Sequence, residues 1–159
     1  MKRLLALLTP LLLATLIADA KVVRPAPDVA LAPGSKPASI RGFKNQPVVI
    51  LFAPSARDRQ FKAQVKELEA VYRLFAARQV LFVAALGDGG AEPIRSSIPF
   101  LTAPNGGGAA AAYGIPEGRG IAIVSPQGNL DYVSTRRAAG ARVREILANT
   151  QSLQAANRK

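Results

Sequence analysis

Two short apolar runs, Pro47–Ala53 and Val80–Leu86, bracket a longer stretch in which apolar and charged residues recur at helical spacing. Each run is too short for a buried helix. A continuous apolar run of this length predicts a strand covered on both faces. Between them, Phe61, Val65, Leu68, Tyr72 and Phe75 are spaced by four, three, four and three positions, which puts all five on one helical face. Lys62, Lys66, Glu69 and Arg73 fall largely outside that stripe, and Asp58 with Lys62 and Glu69 with Arg73 have the favourable i,i+4 order. The pattern predicts a helix over 56–78, opened by Ser55 and Asp58 as a variant capping box. Strand, helix and strand in this span suit a right-handed parallel βαβ unit.

Gly87-Asp88-Gly89-Gly90 ends the second run, and residues 91–107 read as a long connection carrying Pro93, Pro99 and Pro104. Connections this long are usually functional or mobile. Gly106-Gly107-Gly108 reads as a flexible linker. It lacks the Gly-Lys-Ser/Thr ending of a phosphate loop and does not directly follow a strand. Ala109–Tyr113 predicts one or two helical turns closed by Gly114. Residues 120–125 and 130–134, joined by Pro126-Gln127-Gly128-Asn129, predict a β-hairpin. A last helix is expected over 138–153, with Val143, Ile146, Leu147 and Leu153 on its buried side.

The N-terminus reads differently. Met1-Lys2-Arg3 is a short positive region, Leu4–Ile17 carries no charge, and Ala18-Asp19-Ala20 offers the small-x-small pattern of signal-peptide cleavage. Cleavage is expected after Ala20. The uncharged run of 14 residues, interrupted by Pro10, is shorter than the ~20 needed to span a bilayer, and no later segment is long and apolar enough to span. Residues 21–37 hold four prolines and predict an extended, partly disordered lead-in. The expected organisation is therefore a signal peptide over 1–20, the lead-in over 21–37, one domain over 38–153 and a frayed tail over 154–159.

Composition narrows the chemistry. The chain has 21 Lys and Arg against 10 Asp and Glu, a net charge of +11, and neither cysteine nor histidine. Loss of Lys2, Arg3 and Asp19 with the signal leaves 19 basic and 9 acidic residues, a net +10. Thiol and imidazole chemistry are closed, as are disulfides and the usual transition-metal ligands. No cofactor is expected. The positive charge favours anionic partners, but it is spread along the chain. The tight clusters are Arg57/Arg59, Arg136/Arg137 and Arg142/Arg144, and no basic-aromatic patch suggests nucleic-acid binding.

The order of elements and several local words resemble the thioredoxin-like fold. Arg41-Gly42-Phe43-Lys44-Asn45-Gln46-Pro47-Val48-Val49-Ile50-Leu51-Phe52-Ala53-Pro54 is similar to the stretch leading into the active site of secreted thioredoxin-like and peroxiredoxin-like proteins. Tyr113-Gly114-Ile115, the apolar run 120–125 and Gln127-Gly128-Asn129 resemble the segment before and through their hairpin. The resemblance spans roughly 38–153 and extends to short exported bacterial thioredoxin-like proteins of unknown function. It implies an α/β domain with a central mixed sheet, made of a βαβ unit, a helical connection, a β-hairpin and a C-terminal helix. It also marks departures. Ala56-Arg57-Asp58-Arg59 stands where Cys-x-x-Cys would lie, and Arg119-Gly120 stands where such proteins place a proline before the third strand. Without sulfur there is no nucleophile for disulfide exchange or peroxide reduction.

The sequence thus points to an exported, non-catalytic thioredoxin-like module, periplasmic or secreted, with an anionic envelope component or another exported protein as partner. Its candidate site is an anion-binding position at the first helix N-terminus, formed by Ser55, Arg57, Arg59 and Arg119. Asp58 competes for the same positive helix end. Two other readings remain: an enzyme with an Asp/Arg site in the 87–120 connection, and a basic adhesin for anionic envelope polymers. Ser55 as a nucleophile lacks a histidine or nearby lysine base. Asp88, Glu92 and Glu117 show no spacing suited to paired-carboxylate catalysis.

Overall fold

The structure, a computed structural model, describes residues 24–76 and 79–156. The expected signal and its cleavage point lie outside the described residues, as do 157–159. Two central strands, β1 (Val48–Ala53) and β2 (Leu81–Leu86), run parallel, with Val48 opposite Leu81 and Ala53 opposite Leu86. Every residue of β1 is buried. That is the outcome of an apolar run whose two faces are both covered.

Covering both faces requires two packed layers, and the alternation of β1 supplies one to each. Val49, Leu51 and Ala53 face a cluster that includes Phe61, Val65, Leu68 and Phe75 of α1 (Arg59–Ala76). Val143 and Leu147 of the last helix complete it. Val48, Ile50 and Phe52 face the opposite cluster, with Ala110 and Tyr113. Burial of these four α1 stripe positions, each contributing about 1.5–3 kcal/mol when fully removed from water, with Tyr72 half-buried beside them, fixes α1 on the sheet.

The sheet has five strands in the order β3-β2-β1-β4-β5. β4 (Gly120–Val124) and β5 (Leu130–Ser134) form the expected hairpin, and β4 lies antiparallel to β1. β3 (Phe100–Ala103) corrects the expectation of an unstructured 91–107 connection: it adds a parallel edge strand beside β2. The glycine triplet corrects a second one. It opens α2 (Gly106–Ala112), with the Asn105 side chain accepting the Gly108 N–H at 3.2 Å. Gly106 must lack a side chain, because a Cβ there would lie 2.3 Å from the Leu86 backbone.

The last helix, α3 (Gly140–Ala156), packs on α1. Gly140 allows the close approach, since a Cβ there would lie 2.4 Å from the Glu67 carbonyl oxygen. Buried Gln64 ties α1 to the segment that leads into α3. Its Nε2 donates to the Ala138 carbonyl at 2.9 Å and its Oε1 accepts the Ala138 N–H at 2.7 Å.

The described part of the lead-in is ordered by contacts rather than by regular structure. Ala26, Val29 and Leu31 are buried in the cluster beneath α2. The Leu130 N–H donates to the Arg24 carbonyl at one sheet edge, and the Ala32 N–H to the Thr102 carbonyl at the other, both at 2.8 Å. The lead-in thus crosses the sheet as a strap. The Tyr113 hydroxyl donates to the Pro27 carbonyl at 2.7 Å and ties it to the end of α2.

Candidate functional site

The β1–α1 junction is where the sequence places its candidate site. β1 ends at Ala53, and Pro54–Asp58 form the turn before α1 begins at Arg59. The helix therefore starts three residues later than the expected 56, and its cap is Asp58 rather than Ser55. Asp58 Oδ1 accepts the N–H of Gln60 at 2.9 Å and of Phe61 at 3.0 Å. Ser55 contributes its backbone carbonyl, which accepts the Asp58 N–H at 3.2 Å. An acidic cap is the stronger arrangement here, because its charge also meets the positive helix end.

Arg119 arrives from the opposite side of the junction. The β1–β4 register sets Phe52 opposite Gly120, so the residue before Gly120 lies beside the turn. Arg119 Nε donates to Asp58 Oδ2 at 3.0 Å. Burial by itself would raise the Asp58 carboxyl. The Phe61 N–H, the Arg119 guanidinium and the Gln60 N–H outweigh it and hold the carboxyl below the ordinary aspartate range.

The four expected anion-site residues are brought to one region but not to one task. Arg57 pairs with Glu92 of the β2–β3 connection, and Arg119 with Asp58. Arg59 is exposed and has no ion-pair partner among the described residues. Ser55 faces the turn through its backbone. The carboxylate that occupies the helix N-terminus comes from the chain itself.

What the sequence reading missed lies alongside. A cleft of about 530 Å³ opens between the first half of α1 and the connection at 92–95. Ala56, Phe61, Val65 and Ile94 form its apolar side, while Arg57, Lys62, Lys66 and Arg95 are exposed around it. Glu69 anchors the connection: its Oε1 accepts the Ser97 N–H and the Ser96 hydroxyl, both at 2.8 Å, and the Ser97 hydroxyl at 3.3 Å. The Ser97 N–H and Ser96 hydroxyl lead in holding the Glu69 carboxyl below its usual range, against a smaller opposing push from burial. The only signal in the sequence was the length of the connection itself.

No protein-family description and no curated protein matches the chain. Solved structures do. A putative thiol:disulfide interchange protein DsbE from Chlorobium tepidum superposes with a TM-score of 0.61 at 15% identity, over 80% of this chain and 96% of that one. The fold is thioredoxin-like. Thioredoxin peroxidase I of Plasmodium yoelii gives a TM-score of 0.60 at 17% identity, over 86% and 92% of the two chains. A secreted Mycobacterium tuberculosis disulfide oxidoreductase homologous to E. coli DsbE gives 0.54 at 14%, over 78% and 96%. At such identities the likeness concerns the fold alone. On this thioredoxin-like frame Ala56 is buried in the junction turn and Arg59 opens the helix, so neither aligned thiol position carries sulfur. Among the described residues no helix is long and apolar enough to cross a membrane, and no cluster of acidic side chains is suited to hold a metal ion.

Proposed function

We propose that this chain is an exported thioredoxin-like domain that works as a binding module without redox chemistry. The observation that carries the proposal is the β1–α1 junction. Where thiols would act, Asp58 caps the helix and is tied to Arg119. Export rests on the N-terminal pattern of charge, apolar run and Ala18-Asp19-Ala20. The fold supplies a frame, and function resides in the sites built on it.

The same pairing weighs against an Asp/Arg enzyme. Asp58 spends both oxygens on the cap and the guanidinium, and Arg119 spends its Nε on Asp58. An anion at Ser55, Arg57, Arg59 and Arg119 would compete with that carboxylate. General basic adhesion is the remaining rival, since the net charge is +11.

Two measurements test the module. Purified protein should reduce insulin disulfides no faster than buffer, with thioredoxin as the positive control. Envelope extract passed over the immobilised protein should yield a partner that survives 1 M salt, where the screening length falls to about 3 Å. Insulin reduction above background would overturn the redox-inactive reading. Release of everything by salt would leave the adhesin.

A further inference from the structure

The cleft beside α1 has a definite chemical character. Its apolar wall comes from buried positions of the α1 stripe, Phe61 and Val65, closed from the other side by Ile94. Its volume of about 530 Å³ lies within the range of small-molecule sites, roughly 300–1,000 Å³. It also carries an uneven charge. Both carboxylates in its lining are already engaged: Glu92 with Arg57, and Glu69 with Ser96 and Ser97. Lys62 and Lys66 stand one turn apart on α1, and Arg95 stands on the connection. Lys62 and Arg95 have no ion-pair partner among the described residues. Four cations (Arg57, Lys62, Lys66, Arg95) against two carboxylates (Glu69, Glu92) leave the rim with a net charge of +2 beside its apolar wall.

We infer that this cleft binds a small amphipathic carboxylate, an acyl chain whose head group is held by Lys62, Lys66 and Arg95 and whose tail lies against Phe61, Val65 and Ile94. The inference rests on the binding-module reading and names the ligand class for it. Charge complementarity selects the head group, since a neutral amphiphile would leave Lys62 and Arg95 without a counter-charge. The apolar wall selects the tail, since a bare anion would leave the half-buried Ile94 side chain, at the mouth over Phe61 and Val65, uncovered. Fixing the connection through Glu69 preorganises the far wall, which lowers the ordering cost of binding.

Octanoate is the probe, with acetate as the head group alone and octan-1-ol as the tail alone. Isothermal titration of the mature chain should show octanoate binding at least about tenfold more tightly than either control, a gap of about 1.4 kcal/mol. Amide shifts in the NMR spectrum should map to Phe61, Val65 and Ile94. Lys62→Glu combined with Lys66→Glu should weaken octanoate at least tenfold. Arg142→Glu combined with Arg144→Glu, the same change in net charge on exposed α3 positions outside the cleft, should leave it unchanged. Ile94→Asp, at a half-buried connection position, should abolish binding while the far-UV melting curve is retained. Acetate binding as well as octanoate, equal loss in the α3 control, or shifts confined to another surface would each overturn the proposal. If octanoate fails while insulin stays unreduced and a salt-resistant partner is captured, the ligand class is wrong and the module reading stands. Insulin reduction would overturn the module reading whatever octanoate does.

Discussion

The Asp58 side chain accepts three hydrogen bonds at the junction, and two substitutions separate the cap from the charge. Asp58→Ala deletes the cap and the ion pair together. Loss of an N-cap costs about 1 kcal/mol, within a range of about 0.5–2. The pair with Arg119 is worth less. The Arg119 side chain is 41% exposed against 13% for Asp58, so solvent screens the attraction to about 0.3–1 kcal/mol. The expected total for Asp58→Ala is about 1.3–2 kcal/mol. Asp58→Asn keeps an oxygen at the cap and loses only the charge, so it should cost about 0.5 kcal/mol. The gap between wild type and Asp58→Asn should also depend on pH with a definite sign. The folded-state pKa of Asp58 lies below its ordinary 3.8. Its charge therefore stabilises the fold fully above 3.8, and the gap closes as pH falls through the lower folded value. Other carboxylates titrate alike in both proteins and cancel. Urea unfolding followed by far-UV circular dichroism is the assay, since the chain has no tryptophan. An Asp58→Ala cost below about 0.3 kcal/mol would refute the cap assignment. A wild-type minus Asp58→Asn gap that is flat from pH 7 to pH 2 would refute the linkage.

Three further substitutions probe the frame. Gln64→Leu leaves both backbone groups of Ala138 without their partner in a site where Gln64 is 4% exposed, and urea unfolding should show a loss of about 2–4 kcal/mol, two unmet groups at about 1–2 each. Gly106→Ala drives a Cβ against the Leu86 backbone and should cost about 1–3 kcal/mol; a neutral result would mean that α2 sits farther from β2. Tyr113→Phe removes the hydroxyl held by Pro27 and should cost about 0.5–1.5 kcal/mol, with limited proteolysis in 24–31 accelerated relative to the 140–150 helix; unchanged cleavage would show that the strap is held without this bond.

How much of this was legible depends on how local each determinant is. β1 and β2 announce themselves because both faces of each are covered, so their sequences are apolar without interruption. The α1 stripe is legible for the same reason, as is the hairpin with its Pro126–Asn129 turn. β3 is not: Phe100–Ala103 is four residues between prolines, partnered within the sheet only by β2. The strap is hidden for another reason. Ala26, Val29 and Leu31 follow no period of two or 3.6, and only the α2 side of the sheet gives them something to cover. The Asp58–Arg119 pair joins residues 61 positions apart, which no local pattern can reveal. Capping was half legible. Ser55 and Asp58 together read as one capping box, whereas in the fold Asp58 alone caps the helix and Ser55 contributes its backbone carbonyl to the turn.

The junction also gives a reason for the proposed cleft to sit beside the β1–α1 turn and not upon it. Gly120 lies close enough to β5 that a Cβ would come within 2.5 Å of the Ser134 carbonyl oxygen. That approach and the pairing of Phe52 with Gly120 fix the backbone from which Arg119 reaches Asp58. A helix N-terminus normally attracts anions because its first N–H groups are unmet. Here Gln60 and Phe61 donate to an internal carboxylate that is itself countered by a guanidinium. An incoming anion would have to displace Asp58 and leave its charge beside the newcomer. A few residues further along α1, the balance reverses. Glu92 and Glu69 are engaged by Arg57 and by the serines, and Lys62 and Arg95 keep their charge unpaired beside an apolar wall. The free energy available for recognition therefore lies on the flank of α1. The proposed ligand therefore belongs on that flank and not at the junction, where the helix end is already met by Asp58 and Asp58 by Arg119.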